Sequence, residues 1–140
     1  KESNFDVILK TKDLITSIKR AAVITTEGYR LVKFTFDNNK LILSAEVSEI
    51  GNSRVVMDID YSNDYFEIGF NPIYVIDVLN VVTSDTIKIE FTEQDKAGVI
   101  IENLSNNLSD DSYVFIHVVM PISLRKETDG IEETHEIHET

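Results

Sequence analysis

The sequence lacks cysteine altogether, and this absence excludes both a disulfide framework and a thiolate metal site. It is in keeping with a reducing compartment. No apolar run approaches the ~20 residues that a membrane-spanning helix needs, and no charged segment followed by an apolar one at the start predicts a signal peptide. We therefore expect a soluble, cytoplasmic protein that has no membrane partner.

Motifs for catalysis are also missing. The five glycines are isolated from one another, so the chain has no glycine-rich phosphate loop. With no cysteine and no histidine before His117, a nucleophile–base triad is hard to assemble. Acidic pairs such as Asp58 with Asp60 and Asp110 with Asp111 are typical of strand surfaces and loops. We predict a protein that is not an enzyme and that needs no cofactor.

Positive charge is scarce, because the net charge is −12. This net negative charge argues against a nucleic-acid partner, but the charged residues are distributed unevenly along the chain. Residues 1–30 carry six basic and four acidic residues, whereas residues 127–140 carry six acidic residues and no Lys or Arg. We expect residues 1–124 to form one domain and residues 125–140 to be an acidic, disordered tail.

Apolar periodicity predicts an α+β fold in which a βαβββ unit occurs twice, with two helices packed on antiparallel sheet. The first helix has its apolar stripe from Leu14 to Ala22, with Thr11 or Asp13 as its cap. The second begins at Asn71-Pro72, since Asn caps helices well and Pro suits the first helical position. The predicted strands cover residues 5–10, 31–37, 41–45, 54–61, 65–70, 86–92, 99–102 and 113–120.

Three segments carry a family likeness: DLITSIKRAA at 13–22, EIGFNPIYVIDVL at 67–79 and VVMPISL at 118–124. In this order they resemble the third, C-terminal domain of the bacterial β sliding clamp, the processivity subunit of DNA polymerase III. The chain departs from the family in running on past Leu124, where family members usually stop. A whole clamp subunit has three such domains, so the resemblance implies that this chain is a piece of a longer subunit.

The resemblance implies a site for linear peptides of the Gln-Leu-x-Leu-Phe type, carried by polymerases, the clamp loader and repair proteins. In the family this site lies between the second and third domains. The alternative interpretation of its last segment is ordinary strand core, which must hold for about half of an alternating strand. This chain's share of the site would be Asn71, Tyr74, Lys96, Gly98, Val118, Val119, Met120, Pro121, Ile122, Ser123 and Leu124.

The resemblance also implies a head-to-tail homodimer that encircles duplex DNA. Lys12, Lys19 and Arg20 would face the DNA and contact phosphates without reading bases. A solvated helix face explains these three residues equally well. Val23 and Ile24 would lie at the subunit interface, although they could also be helix-end packing.

The sequence raises three further hypotheses. His135 and His138 have helical spacing among acidic residues, but no further ligand is near, and we predict no metal site. The rival function is a stand-alone acidic α+β module that binds a protein or small ligand and never forms a ring. A small hydrolase would need an acid–base constellation that the sequence does not provide.

Overall fold

The computed structural model describes residues 5–25, 30–102 and 115–124. Within these residues the elements follow the predicted order, which confirms the α+β class and the repeated βαβββ unit. The predicted tail, Gly28 and the first part of the last predicted strand lie outside them. The strands are β1 Phe5–Lys10, β2 Val32–Asp37, β3 Lys40–Val47, β4 Gly51–Asp58, β5 Phe66–Phe70, β6 Thr86–Phe91, β7 Gly98–Glu102 and β8 Ile116–Val119; the helices are α1 Thr11–Ala21 and α2 Pro72–Val81, and a 3₁₀ turn, Ala22–Ile24, follows α1.

The two units exchange their first strands. One sheet has the order β4-β3-β2-β5, the other β1-β6-β7-β8, and every pairing is antiparallel. Strand β1 of the first unit therefore pairs with β6 of the second, with Val7 opposite Ile89. Strand β5 of the second unit pairs with β2 of the first, with Phe34 opposite Ile68. Because each sheet needs a strand from the other unit, the two units form one structure.

An aromatic cluster fills the place where the exchanged strands meet. The ring centroids of Phe5 in β1 and Phe66 in β5 lie 4.8 Å apart in an edge-on arrangement. Phe36 in β2 and Phe91 in β6 lie 5.2 Å apart, and both side chains are buried. Such pairs contribute about 0.5–1.5 kcal/mol beyond the area they bury, so the cluster ties the two sheets together.

Helix α1 buries one stripe, as its periodicity predicts: Leu14, Ile18 and Ala21 are inaccessible to solvent. The predicted cap is wrong. The capping position is Lys10, which makes no side-chain capping bond. Thr11 is the first helical residue, and its hydroxyl donates 3.0 Å to the Ser84 carbonyl instead. The Thr11 side chain thus makes a tertiary hydrogen bond and does not cap the helix.

Helix α2 begins as predicted. The Oδ1 atom of Asn71 accepts a 2.9 Å hydrogen bond from the Ile73 backbone N–H, and Pro72 is the first helical residue. Val75 and Leu79 are buried one turn apart. This start fixes the position of the helix at the end of β5, which matters for the site.

The sequence predicts the fourth strand at residues 54–61, whereas β4 begins at Gly51 and ends at Asp58. Tyr61 therefore lies beyond the strand, although its side chain is buried and its hydroxyl donates to the Asp64 carbonyl. Burial, with smaller contributions from Asp64 and Asp37, raises the pKa of Tyr61 to about 12. A buried tyrosine in the apolar pattern was mistaken for a strand position.

Candidate functional site

A groove of about 450 Å³ runs between α2 and the segment that contains the end of β8. Seven of the eight residues that line it were predicted from the sequence as peptide-binding residues; the eighth, Val78, was not. Val78 lies one helical turn after Tyr74, so the same i, i+4 spacing could have found it. The lining residues are Asn71, Tyr74, Val78, Val118, Val119, Met120, Pro121 and Ile122.

The wall formed by α2 depends on how that helix begins. Asn71 caps the helix and stands at the end of β5, which places the first turn at the mouth of the groove. Tyr74, in this first turn, is 61% exposed. Val78 is half-buried behind it. This wall therefore consists of an exposed aromatic side chain, Tyr74, and a half-buried apolar side chain, Val78.

The opposite wall comes from β8, an edge strand that pairs with β7 alone within the described residues. Its residues alternate: Val119 is buried, whereas Val118 is 61% exposed and Met120, just after the strand, is 64% exposed. The strand-core interpretation thus holds for Val119 and fails for the two residues beside it. Unbranched Met suits a surface that must adapt to several partners.

The chain after β8 is fixed against β5 by its backbone. The Ile122 N–H donates to the Gly69 carbonyl over 2.8 Å. A Cβ atom on residue 69 would lie 2.7 Å from Leu31 Cδ1 and 2.8 Å from Leu124 Cδ2. Glycine at position 69 therefore permits the close approach, and Leu124 packs over it, half-buried, outside the groove lining.

Lys96, Gly98 and Ser123 are not among the lining residues either. Lys96 is exposed in the turn that joins β6 and β7. Gly98 is buried opposite Val119, where an added Cβ would lie 3.0 Å from Phe91 Cε1 and 3.1 Å from Phe70 Cζ. Gly98 thus keeps β7 close to the aromatic cluster, and it supports the site through packing.

The basic residues predicted to face DNA share one side of α1. Lys12, Lys19 and Arg20 are all exposed, opposite the buried stripe. The exposed polar residues of α2, Asp77 and Asn80, add no positive charge. Of the two helices, α1 alone carries exposed basic side chains.

The two residues predicted to lie at the subunit interface, Val23 and Ile24, differ in their burial. Val23 is 75% exposed in the 3₁₀ turn, whereas Ile24 is half-buried and packs against the core. An interface role is thus open to the Val23 side chain, and ordinary helix-end packing describes Ile24.

No group of three or more His, Asp or Glu residues placed to hold a metal ion occurs in the described ranges. His135 and His138 lie outside those ranges. His117 instead has its Nε2 atom 3.3 Å from Oε2 of buried Glu102. Across residues 5–25, 30–102 and 115–124, no helix has the length and apolar character required to cross a membrane.

Comparison with known proteins shows which family shares this arrangement of exchanged βαβββ units. The chain belongs to the family described as DNA polymerase III beta subunit, C-terminal domain, which matches residues 1–123. It is 30% identical over 123 residues to the beta sliding clamp of Chlamydia pneumoniae, covering 88% of this chain and 31% of that protein. It is 31% identical over 105 residues to the clamp of Escherichia coli K12, covering 75% and 27%.

Solved structures give the same result. A sliding clamp from Pseudomonas aeruginosa, crystallised with griselimycin bound, superposes with a TM-score of 0.76 at 25% identity, covering 89% of this chain and 31% of that one. A clamp from Bartonella birtlesii, at 24% identity and a TM-score of 0.73, shares the fold over 84% and 30%. The chain thus spans about a third of the length of these relatives.

Proposed function

We propose that this domain binds short linear peptides in the groove between α2 and β8, as part of a processivity clamp that encircles duplex DNA. The observation that carries the proposal is the exposure of Tyr74, Val118 and Met120 around one cavity. The domain performs no catalysis of its own; polymerase activity belongs to the proteins that it holds.

The size of the groove favours a peptide. About 450 Å³ lies within the ~300–1,000 Å³ range of pockets for small ligands, which suits two or three apolar side chains. Burying apolar surface is worth about 25 cal/mol per Å², and a few anchors in a small pocket carry most of the binding energy of such contacts. Leu and Phe of the Gln-Leu-x-Leu-Phe type are anchors of this kind.

The charge of α1 supports the ring. Lys12, Lys19 and Arg20 form an exposed basic face on a chain whose net charge is −12. A weakly basic inner face and an acidic exterior would let a head-to-tail homodimer slide on duplex DNA through salt-sensitive phosphate contacts. Polymerase, clamp loader and repair proteins would share the groove in the cytoplasm.

The test is an NMR titration of the 140-residue chain with a Gln-Leu-x-Leu-Phe peptide. We expect shifts concentrated at Asn71, Tyr74 and residues 118–122, with a weak affinity because the family's site has a second wall from another domain. Shifts spread over the whole surface, or none at millimolar peptide, would contradict the proposal.

A matched pair of variants makes the titration specific. Tyr74→Ala removes the exposed aromatic anchor of α2 and should weaken binding about 30-fold, since such anchors contribute about 2 kcal/mol. Thr16→Ala changes another exposed position, on α1 and away from the groove, and should leave the affinity unchanged.

A further inference from the structure

A buried carboxylate lies beside the two walls of the groove. Glu102, the last residue of β7, is 5% exposed, and its side chain is 3% exposed. Burying a carboxylate costs several kcal/mol unless hydrogen bonds compensate, so its partners matter. An apolar side chain such as that of Ile100, two residues earlier on the same face of β7, would fill the space without this cost.

The partners of Glu102 belong to the two walls. Its Oε1 atom accepts hydrogen bonds from the backbone N–H of Thr83, at 3.3 Å, and from the Thr83 hydroxyl, at 3.5 Å. Thr83 follows α2 by two residues. Its Oε2 atom lies 3.3 Å from Nε2 of His117, which immediately precedes Val118 in β8. One carboxylate thus connects the end of α2 with the strand that carries Val118 and Met120.

The two walls need such a connection, because α2 and β8 contact each other sparsely where the groove separates them. Direct packing between them is therefore limited. On the other side, β8 is held to β7 by backbone pairing from Ile101–Ile116 to Gly98–Val119. That pairing fixes β8 relative to β7, and the hydrogen bond from Ile122 to Gly69 holds the segment after β8 near the start of α2. Glu102 provides the connection at the other end of α2.

We propose that Glu102 is a positioning residue that sets the width of the peptide groove by joining Thr83 to His117. This inference rests on the proposed peptide-binding function. The imidazole donates from Nε2 either as its neutral Nε2–H tautomer or as the cation, so the contact persists in both states. Glu102 touches no peptide; it acts through the positions of Tyr74 and Met120.

The experiment compares Glu102→Ala with Glu102→Gln in the 140-residue chain. Alanine removes both contacts and should weaken peptide binding at least fivefold. Glutamine keeps an oxygen for Thr83 and offers an amide to the other imidazole tautomer, so its affinity should stay within twofold of the original. The core variant Ile18→Val, on α1, should lower the urea midpoint and leave the peptide dissociation constant unchanged, which separates positioning from general stability.

A second readout does not depend on the peptide. NOEs from the Val118 and Met120 methyl groups to Tyr74 and Val78 report the width of the groove in the free chain. They should change in Glu102→Ala and persist in Glu102→Gln. If Glu102→Ala does not fold, His117→Phe, which breaks one contact and keeps a ring, replaces it and should alter the same NOEs.

The outcomes are distinguishable. Unchanged NOEs and an unchanged dissociation constant in Glu102→Ala would overturn the positioning role while peptide binding stood. Failure of the unmodified chain to bind peptide would overturn the proposed function, and the NOEs of the free chain would still decide whether Glu102 sets the distance between α2 and β8.

Discussion

Helices α1 and α2 occupy equivalent places in the two βαβββ units, yet their exposed sides differ in chemistry. Each buries apolar residues one turn apart, Leu14 and Ile18 in α1 and Val75 and Leu79 in α2. The exposed residues that distinguish α1 are basic: Lys12, Lys19 and Arg20. Those that distinguish α2 are apolar: Ile73, Tyr74 and Val81.

The difference shows that the fold constrains one side of each helix only. The buried side must fill space between sheets, so a similar pattern recurs in both units. The exposed side is under no such constraint, and it carries the residues that we assign to DNA and to peptides. The repeat is therefore a repeat of packing and not of function.

The largest expected effect on stability concerns Gly69, where the chain after β8 meets β5 next to the start of α2. Gly69→Ala places a Cβ within 3 Å of the ends of the Leu31 and Leu124 side chains and 3.3 Å from the Ile122 carbonyl oxygen. Both leucines and the backbone at Ile122 must shift, which should destabilise the chain by ~1–3 kcal/mol. It should also weaken peptide binding, because Ile122, which lines the groove, donates a backbone hydrogen bond to residue 69. Urea unfolding and peptide titration measure the two effects.

Its matched control is Gly51→Ala, at a φ of 137° with nothing within 4 Å of the added Cβ. Backbone strain should cost a similar ~1–3 kcal/mol there, but the groove should keep its affinity. Equal losses of peptide affinity in both variants would mean that stability alone governs the site.

A middle-sized effect concerns how the two helices begin. Asn71→Ala removes the hydrogen bond to the Ile73 N–H and should cost about 1 kcal/mol in the free energy of unfolding. At α1 the capping residue is Lys10, which has extended backbone angles and no side-chain capping bond. Lys10→Asn should therefore stabilise the chain, by up to about 1 kcal/mol, as measured by urea unfolding. If Lys10→Asn destabilises, the comparison of the two helix starts is wrong.

The smallest effect on stability should be the most specific for function. Replacing Lys12, Lys19 and Arg20 together by Gln removes three charges from α1, all of them exposed. The slope of log affinity for short duplex DNA against log salt should fall by about 2.7, at ~0.9 per phosphate contact. Fluorescence anisotropy at low salt measures this slope, and Asn80→Ala on α2 serves as the control. An unchanged slope would mean that these three residues form an ordinary solvated helix face and do not contact DNA.

Local signals in the sequence predicted much of this structure correctly. Asn38-Asn39 is good sequence chemistry for a tight turn, and it forms the hairpin between β2 and β3 with φ values of 53° and 63° that Asn tolerates better than most residues. Asn71-Pro72 begins α2, and helical periodicity identifies the buried face of each helix. The predicted cap was wrong because of a partner distant in sequence: the Thr11 hydroxyl donates to the Ser84 carbonyl and does not cap α1.

The sequence by itself determined the order of elements and the faces that are buried, because periodicity, capping and turn chemistry act over a few neighbouring residues. Most residues of the groove were predicted from the resemblance of three segments to the clamp family. The tertiary structure alone decided which strands pair, and hence the exchange of β1 and β5 between the sheets. It also decided that Leu124 packs over Gly69 and that Glu102 reaches both Thr83 and His117. An apolar alternation specifies that a side chain is buried but not what it is buried against, since that partner lies tens of residues away in the chain.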